Sequence, residues 1–425
     1  MNLQFDGKKV TVLGARETGI QSALFLKRRG AHVFVSELKE SKDFISAKKA
    51  LEAQGISCEF GQHSWEEIED SQLIVVSPGI PPTAAIYQKA IRSEIPVWSE
   101  IELAYRAWLG ELIAVTGSNG KTTVTTLIRD VLRASGRSAV SCGNIGNSFI
   151  SEVDQLKPGT VVVLEVSSFQ LTHIDQFRPH IAVLLNLSPN HVDWHGSFEE
   201  YAQMKWRVFK NQASEDYSLV NMLDLESTKR AKELRSKVVY FNGKQSTNPN
   251  HAAIEEVARL YQIDPGVTRS VLENFSGLEH RFEETGILHG VKYINDSKST
   301  TIASLGWALE RVGEGVVLIA GGRPKGGDFR VLRELVKQKV KFLILLGEAK
   351  KDMEDAFGDL VSVYSVSSLE EALRVARGVG RPGGTVLFSP ACASFDMFQD
   401  YQDRGRQFKS ILASWRDELA PAPSR

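Results

Sequence analysis

Short runs of β-branched and other apolar residues alternate with amphipathic, charge-bearing segments along nearly the whole chain. In the first hundred residues, KVTVLG (9–14), HVFVSE (32–37) and LIVVSPG (73–79) read as strands. Each ends in turn residues, and Ser22–Arg29 has the spacing of an amphipathic helix. IAVTG (113–117), TVVVLEVSS (160–168), IAVLLNLS (181–188) and KVVYFNG (237–243) form a second set. VKYINDS (291–297), VVLIAGG (316–322), KFLILLGE (341–348) and TVLFSPA (385–391) form a third. Strands that alternate with helices predict an α/β chain with parallel sheets. Three sets, each with its own glycine-bearing turns, predict three doubly wound domains, with boundaries near Trp108–Gly110 and Ser276–Leu278.

Composition narrows the classes. At 425 residues the chain exceeds what one core supports, and 42% hydrophobic content is ordinary for globular protein. The charges nearly cancel, 51 basic against 52 acidic, which removes the footprint of general nucleic-acid or anionic-membrane binding. Any anion must be held by local groups. The opening residues MNLQFDGKKV lack the apolar stretch of a secretory signal, and no apolar run approaches the ~18 residues of a spanning helix. Three scattered cysteines, Cys58, Cys142 and Cys392, form neither a disulfide framework nor a metal knuckle. The expectation is a soluble cytoplasmic protein.

The stretch AVTGSNGKTTVTTL (114–127) carries the strongest chemistry. A strand runs into a Gly/Asn turn, and Gly-Lys-Thr-Thr opens a helix. The common phosphate loop G-x-x-x-x-G-K-[ST] would need glycine at 115, where Val115 stands. A structural turn needs glycine but has no use for Lys then Thr at the helix start. Lys121 in the first turn opposes the helix dipole, which a bound anion would explain. Phosphate binding therefore outweighs a plain turn.

Other residues gather at strand ends of the same set. Glu165 closes one strand, and His191, Asp193 and His195 follow another, a pattern that points to a metal beside a nucleotide. Oxygen ligands and phosphate favour Mg²⁺ over zinc. Ser197–Asn211 reads as a helix capped by Ser197, with Lys205 among aromatic residues, where a snorkelling lysine is the plain alternative. Near the N-terminus, Gly14 and Gly19 frame a weak nucleotide-binding turn in which Arg16 replaces the middle glycine. Glu37 stands where a Rossmann fold often puts an acid on a ribose, and Ser77–Pro82 is another strand-end loop.

Taken in order, GSNGKTT, GNIG (143–146), LEVSSFQL (164–171), NLSPNHVDWH (186–195), HRFE (280–283), INDSKSTT (294–301) and FSPACASFD (388–396) resemble the Mur ligase family. These enzymes form amide bonds with ATP in peptidoglycan synthesis, and the phosphate-loop spacing is then a family variant. The resemblance implies an N-terminal Rossmann-like domain over 1–108 for a UDP-linked substrate and a central ATP-binding domain over 109–277. It also implies a C-terminal Rossmann-like domain over 278–425 for the amino acid and part of ATP. LGARETG, SPGI, GLEHRFE and SPACASFDMFQDYQDRG resemble the branch that adds D-glutamate to UDP-N-acetylmuramoyl-L-alanine through an acyl phosphate.

Roles follow from the resemblance position by position. Gly117, Asn119, Gly120, Lys121, Thr122 and Thr123 would hold ATP, with Asn250, Arg281 and Asp296. Gly14, Thr18, Glu37, Ser77, Gly79, Asn144, Ser167 and His191 would hold the UDP-linked substrate. His280, Lys298, Thr300, Lys325, Ser394 and Tyr401 would hold D-glutamate. Thr122, Glu165, His191 and Lys205 would bind two Mg²⁺ ions, Lys205 as a carbamate. Lys121, Glu165, His191, Lys205 and Lys298 would carry the catalysis, and the expectation is a monomer with small-molecule substrates and no nucleic-acid or membrane partner. The chain departs from the family at STNPNHAAIEEV (246–257), where an HNxxN stretch would read adenine after a longer segment. Arg16 departs likewise at the uridine site. The departures leave open a variant with impaired ATP use, or another Mur- or folylpolyglutamate-type ligase.

Overall fold

The computed structural model describes residues 3–40, 42–188, 192–243, 248–275, 277–324 and 327–417. Among them, three sheets account for the alternating pattern. The first contains β1 (Lys9–Leu13), β2 (His32–Glu37), β3 (Ser57–Phe60), β4 (Leu73–Val76) and β5 (Val97–Ser99), in the order 3-2-1-4-5. All its pairings are parallel, which is the Rossmann order over these strands. The second contains β6 (Leu112–Thr116), β7 (Ala139–Gly143), β8 (Val161–Glu165), β9 (Ile181–Leu184), β10 (Tyr217–Asn221) and β11 (Lys237–Phe241), in the order 11-10-9-6-8-7.

The third sheet contains β12 (Glu283–Leu288), β13 (Val291–Asn295), β14 (Val316–Gly321), β15 (Val340–Leu346), β16 (Ser362–Ser365) and β17 (Thr385–Phe388). Its order is 12-13-17-14-15-16, and only the edge strand β12 runs antiparallel. The doubly wound α/β class read from the pattern is the observed one. The strands the pattern missed include β3 and β16, half-exposed edge strands whose sequences SCEF and SVYS carry little apolar signal. The helix expected at Ser22–Arg29 begins earlier and runs Glu17–Arg28.

Backbone proximity divides the chain into two compact units, Met1–Phe275 and Ser276–Arg425. The first unit holds two sheets because they share a core: one cluster runs from Val10, Val12 and Val75 to Leu112, Leu164 and Ala182. No helix among the described residues is long and apolar enough to cross a membrane.

Topology dictates where ligands can go. In open α/β sheets the crevice lies beyond the carboxyl ends of strands at the point where strand order reverses. In the first sheet that point falls between β1 and β4, which lead to Gly14 and Ser77. In the second it falls around β6, whose neighbours are β8 and β9, with Val115 beside Glu165 and Thr116 beside Leu184 in register.

Candidate functional site

The turn after β6 is a tight, glycine-bearing entry to a helix. Gly120 sits at φ +83° as the residue preceding the helix Lys121–Ala134. A side chain there would be strained, and its Cβ would fall 2.5 Å from Asn250 Oδ1. Asn250 therefore lies directly against the loop, on the first turn of the helix Pro249–Leu260. The Asn119 N–H donates to Asn186 Oδ1 at 2.9 Å, and Asn186 Nδ2 returns a bond to the Asn119 carbonyl at 3.1 Å. Ser118 Oγ meets Tyr201 Oη at 3.0 Å. Lys121 folds back, Nζ donating to the carbonyls of Gly117 (2.9 Å) and Ser118 (3.1 Å). Thr122 is buried and Thr123 partly exposed in the same first turn.

Beside the loop, Glu165 is 2% exposed. Its Oε1 accepts from Asn144 Nδ2 at 2.9 Å, while Oε2 is buried with no hydrogen-bond partner. A buried carboxylate oxygen without a donor costs free energy unless a cation or proton completes it. Lys205 is also 2% exposed, with Nζ 4.8 Å above the Tyr201 ring. Burial holds its ammonium well below the ordinary lysine range; Lys121 pushes the same way and Glu165 opposes. Lys205 is therefore no snorkelling side chain. Asn144 is fixed from both ends, since its backbone N–H donates to the Glu165 carbonyl at 2.9 Å.

Other expected residues have local duties. The Ser167 hydroxyl closes a capping box with Gln170 at the start of the helix Ser168–Leu171. His195 is buried, its Nε2 2.9 Å from Ser168 Oγ and its ring stacked on Phe169, a packing histidine. His191 lies outside the described residues, as does the backbone before it, and the Asp193 side chain is likewise undescribed. Among the described residues no three His, Cys, Asp or Glu side chains group to hold a metal ion.

At the switch point of the first sheet, a cavity of about 540 Å³ is lined by Gly14, Glu37, Lys39, His63, Trp65, Gly79, Ile80 and Lys89, among others. Glu37, at the cavity's edge, is held by two backbone donors: Oε2 accepts from Ala15 N–H at 3.0 Å and Oε1 from Lys39 N–H at 2.9 Å. Ser77 Oγ donates weakly to the Gly14 carbonyl at 3.4 Å. Thr18 is half-buried on the adjoining helix, and Arg16 is exposed at its start.

In the second unit, strand-end loops gather a separate group. His280 is buried at φ +62°, with Nδ1 3.1 Å from Asn295 Nδ2 and its carbonyl accepting from Lys298 N–H at 3.0 Å. Burial lowers the His280 pKa. Lys298 Nζ lies 3.8 Å over the Tyr401 ring. Asp296 accepts from Phe282 N–H at 3.1 Å and from Ser389 Oγ at 2.9 Å, next in sequence to Arg281. Ser394 is buried and Thr300 half-buried. Lys325 lies outside the described residues.

Residues 8–99 match the family described as Mur ligase MurD-like, N-terminal domain, and residues 115–273 match the Mur ligase middle domain. The UDP-N-acetylmuramoylalanine–D-glutamate ligase of Chloroherpeton thalassium is 37% identical over 96% of this chain and 98% of its own. Its namesake from Chlorobium phaeobacteroides is 38% identical over 96% and 99%. The chain belongs to the Mur ligase family. The fold agrees as well: the MurF ligase of Thermotoga maritima, solved in complex with ADP, superposes with a TM-score of 0.59 at 15% identity. That superposition covers 98% of this chain and 96% of the other.

Several residues that shape this Mur ligase's loops escaped the sequence reading. Asn186 clamps the turn at Asn119; the sequence reading placed it in the stretch NLSPNHVDWH but gave it no role. Arg404, 1% exposed, donates to the carbonyls of Ser297 (2.7 Å) and Cys392 (3.2 Å), tying two loops of the second unit together. Arg404 lies in the stretch SPACASFDMFQDYQDRG, but the sequence reading gave it no role.

Proposed function

We propose that this Mur ligase joins the amine of D-glutamate to the L-alanyl carboxylate of UDP-N-acetylmuramoyl-L-alanine, using ATP, in peptidoglycan synthesis. The near-full-length relatives bear that activity in their names. The observation that carries the reading to this chain's own residues is the cluster of Lys121, Glu165 and buried Lys205 around one phosphate-loop turn.

The reaction needs a leaving group, since a free carboxylate in water does not yield an amide. A carboxylate oxygen attacks the γ-phosphorus and the bond to the β,γ-bridging oxygen breaks, releasing ADP. The D-glutamate nitrogen then attacks the acyl carbon, and the carbon–oxygen bond to phosphate breaks. Backbone N–H groups of the 117–123 turn and the Lys121 ammonium neutralise charge on the phosphates. Lys121 would exchange its two loop carbonyls for phosphate oxygens. Asn250 stands over Gly120 and fixes the edge of the turn. Asn144 orients the Glu165 carboxylate, with Ser167 and His191 assigned to the same substrate. The 540 Å³ cavity, with Gly14, Glu37, Ser77 and Gly79 at its edge and Thr18 behind, takes the uridine end.

The residues present fit a divalent cation. Glu165 Oε2 is a buried oxygen lacking a donor, and the Thr122 hydroxyl lies in the adjoining turn. Thr122, Glu165, His191 and Lys205 would hold Mg²⁺, two ions in all. Bound there, Mg²⁺ supplies Lewis-acid stabilisation of the transferring phosphoryl group. Lys205 suits the carbamate role because only a neutral amine adds to carbon dioxide, and its burial favours that form. In the second unit, His280, Lys298, Thr300, Lys325, Ser394 and Tyr401 would receive D-glutamate, and Arg281 and Asp296 would contact ATP.

The test is phosphate release with Mg²⁺, ATP and UDP-N-acetylmuramoyl-L-alanine, with and without D-glutamate. Release that depends on D-glutamate supports the reading. Release that follows another amino acid instead moves the chain to a different branch, and no release with any of them refutes the proposed activity.

A further inference from the structure

The first helical residue after β5, Glu100, is 1% exposed, and it comes from the first sheet. Its Oε1 accepts from the Ile150 N–H at 2.6 Å, at the start of the short helix Phe149–Glu152. Ser148 occupies the capping position of that helix yet makes no side-chain cap, and its Oγ is buried without a partner. A residue from the other sheet thus does the work a local serine ordinarily does. The chain just before Ser148 is the loop that carries Asn144. Within it, Gly143 N–H donates to the Asn147 carbonyl at 2.8 Å, and Asn144 bonds Glu165 through both backbone and side chain.

On its other side, Glu100 follows directly from Ser99, which pairs in register with Val76. Val76 is the last residue before the Ser77–Gly79 edge of the cavity. Two residues on, Glu102 offers an instructive contrast. Its carboxylate accepts from the N–H groups of Asp175, Gln176 and Phe177, each at 2.9 Å, and from Arg106. Glu102 is fully satisfied and clamps backbone. Glu100 has a second oxygen that is buried with no close donor, and burial, opposed by the Ile150 and Phe149 N–H groups and by the Gln170 side chain, pushes its carboxyl up to about 7.

We propose that Glu100 is a positioning residue that ties the strand ends bordering the nucleotide cavity to the Asn144 loop. It thereby sets where Asn144 and Glu165 meet the reacting end of the UDP-linked substrate. The inference rests on the substrate assignment made above for the cavity and for Asn144.

The experiment uses the full chain with Glu100→Ala and Glu100→Gln. Ala removes the acceptor of the Ile150 N–H, and Gln keeps one. In Glu100→Ala, KM for UDP-N-acetylmuramoyl-L-alanine should rise about tenfold, as expected for one buried hydrogen bond to a charged group. KM for ATP and the Kd of free UDP, which occupies the cavity alone, should stay within about twofold, and Glu100→Gln should recover most of the loss. A lower melting temperature with the substrate KM unchanged would overturn the proposal, as would equal rises for substrate, ATP and UDP. Wild-type protein without D-glutamate-dependent turnover would instead defeat the underlying reading, and this inference with it.

Discussion

Glu165 closes β8 in the first unit, and Asp296 follows β13 in the second, each buried at the carboxyl end of a parallel strand. They differ in what their oxygens do. Asp296 is saturated from within its own unit: Phe282 N–H reaches one oxygen and the Ser389 hydroxyl the other. Glu165 has one oxygen on Asn144 and one on nothing. A buried carboxylate with a donor on each oxygen holds loops together, whereas the second oxygen of Glu165 is left to take the cation proposed above. The same strand-end placement thus leaves a different hydrogen-bonding capacity in the two units, and the roles proposed above draw on that difference. Any ATP contact made by Asp296 must share an oxygen already in use.

The largest expected consequence separates activity from stability. Glu165→Gln should lower turnover on the order of a thousandfold, as for loss of a preorganised electrostatic group. Its melting temperature should hold, because the amide oxygen still accepts from Asn144. A marked drop in melting temperature would place Glu165 with Asp296 as a latch. Next, Lys205→Ala should lose about a hundredfold or more in activity, and added short carboxylic acids should restore part of it. Absence of rescue across a series of acids would speak against the carbamate.

The smallest effect concerns pH. Burial, the dominant influence, pushes Asp296 up to about 7 from an ordinary 3.8. A carboxyl whose folded pKa is raised favours the native state fully below the unfolded value and loses that contribution as pH rises through the folded one. The wild-type protein should therefore lose up to a few kcal/mol of stability between about pH 4 and 7, relative to Asp296→Asn. Denaturant unfolding of both proteins across that range checks it. Wild-type stability that rises relative to Asp296→Asn over the same range would reverse the assigned sign.

The sequence made the central turn readable because its chemistry is local: Gly117, Gly120, Lys121 and Thr122 lie within one stretch, and Glu165 ends an apolar run. Strand spacing likewise exposed the parallel α/β class. What stayed hidden depends on contacts distant along the chain. Glu100 looks like an ordinary acid at a helix start until Ile150, fifty residues away, is seen to donate to it. Glu37 accepts from the Ala15 N–H of the turn after β1 as well as from the Lys39 N–H beside it, and the first of these contacts has no signal in the local sequence. The shared core that fuses the first two sheets into one unit is also invisible to periodicity, because each strand reads as buried whichever neighbour covers it.

The most direct test of the account is isotopic. UDP-N-acetylmuramoyl-L-alanine labelled with ¹⁸O in its carboxylate is turned over with ATP and D-glutamate, and the released phosphate is weighed by mass spectrometry. An acyl phosphate formed at the Lys121–Glu165 turn predicts that each phosphate carries one labelled oxygen from the substrate. Unlabelled phosphate alongside amide product would contradict it.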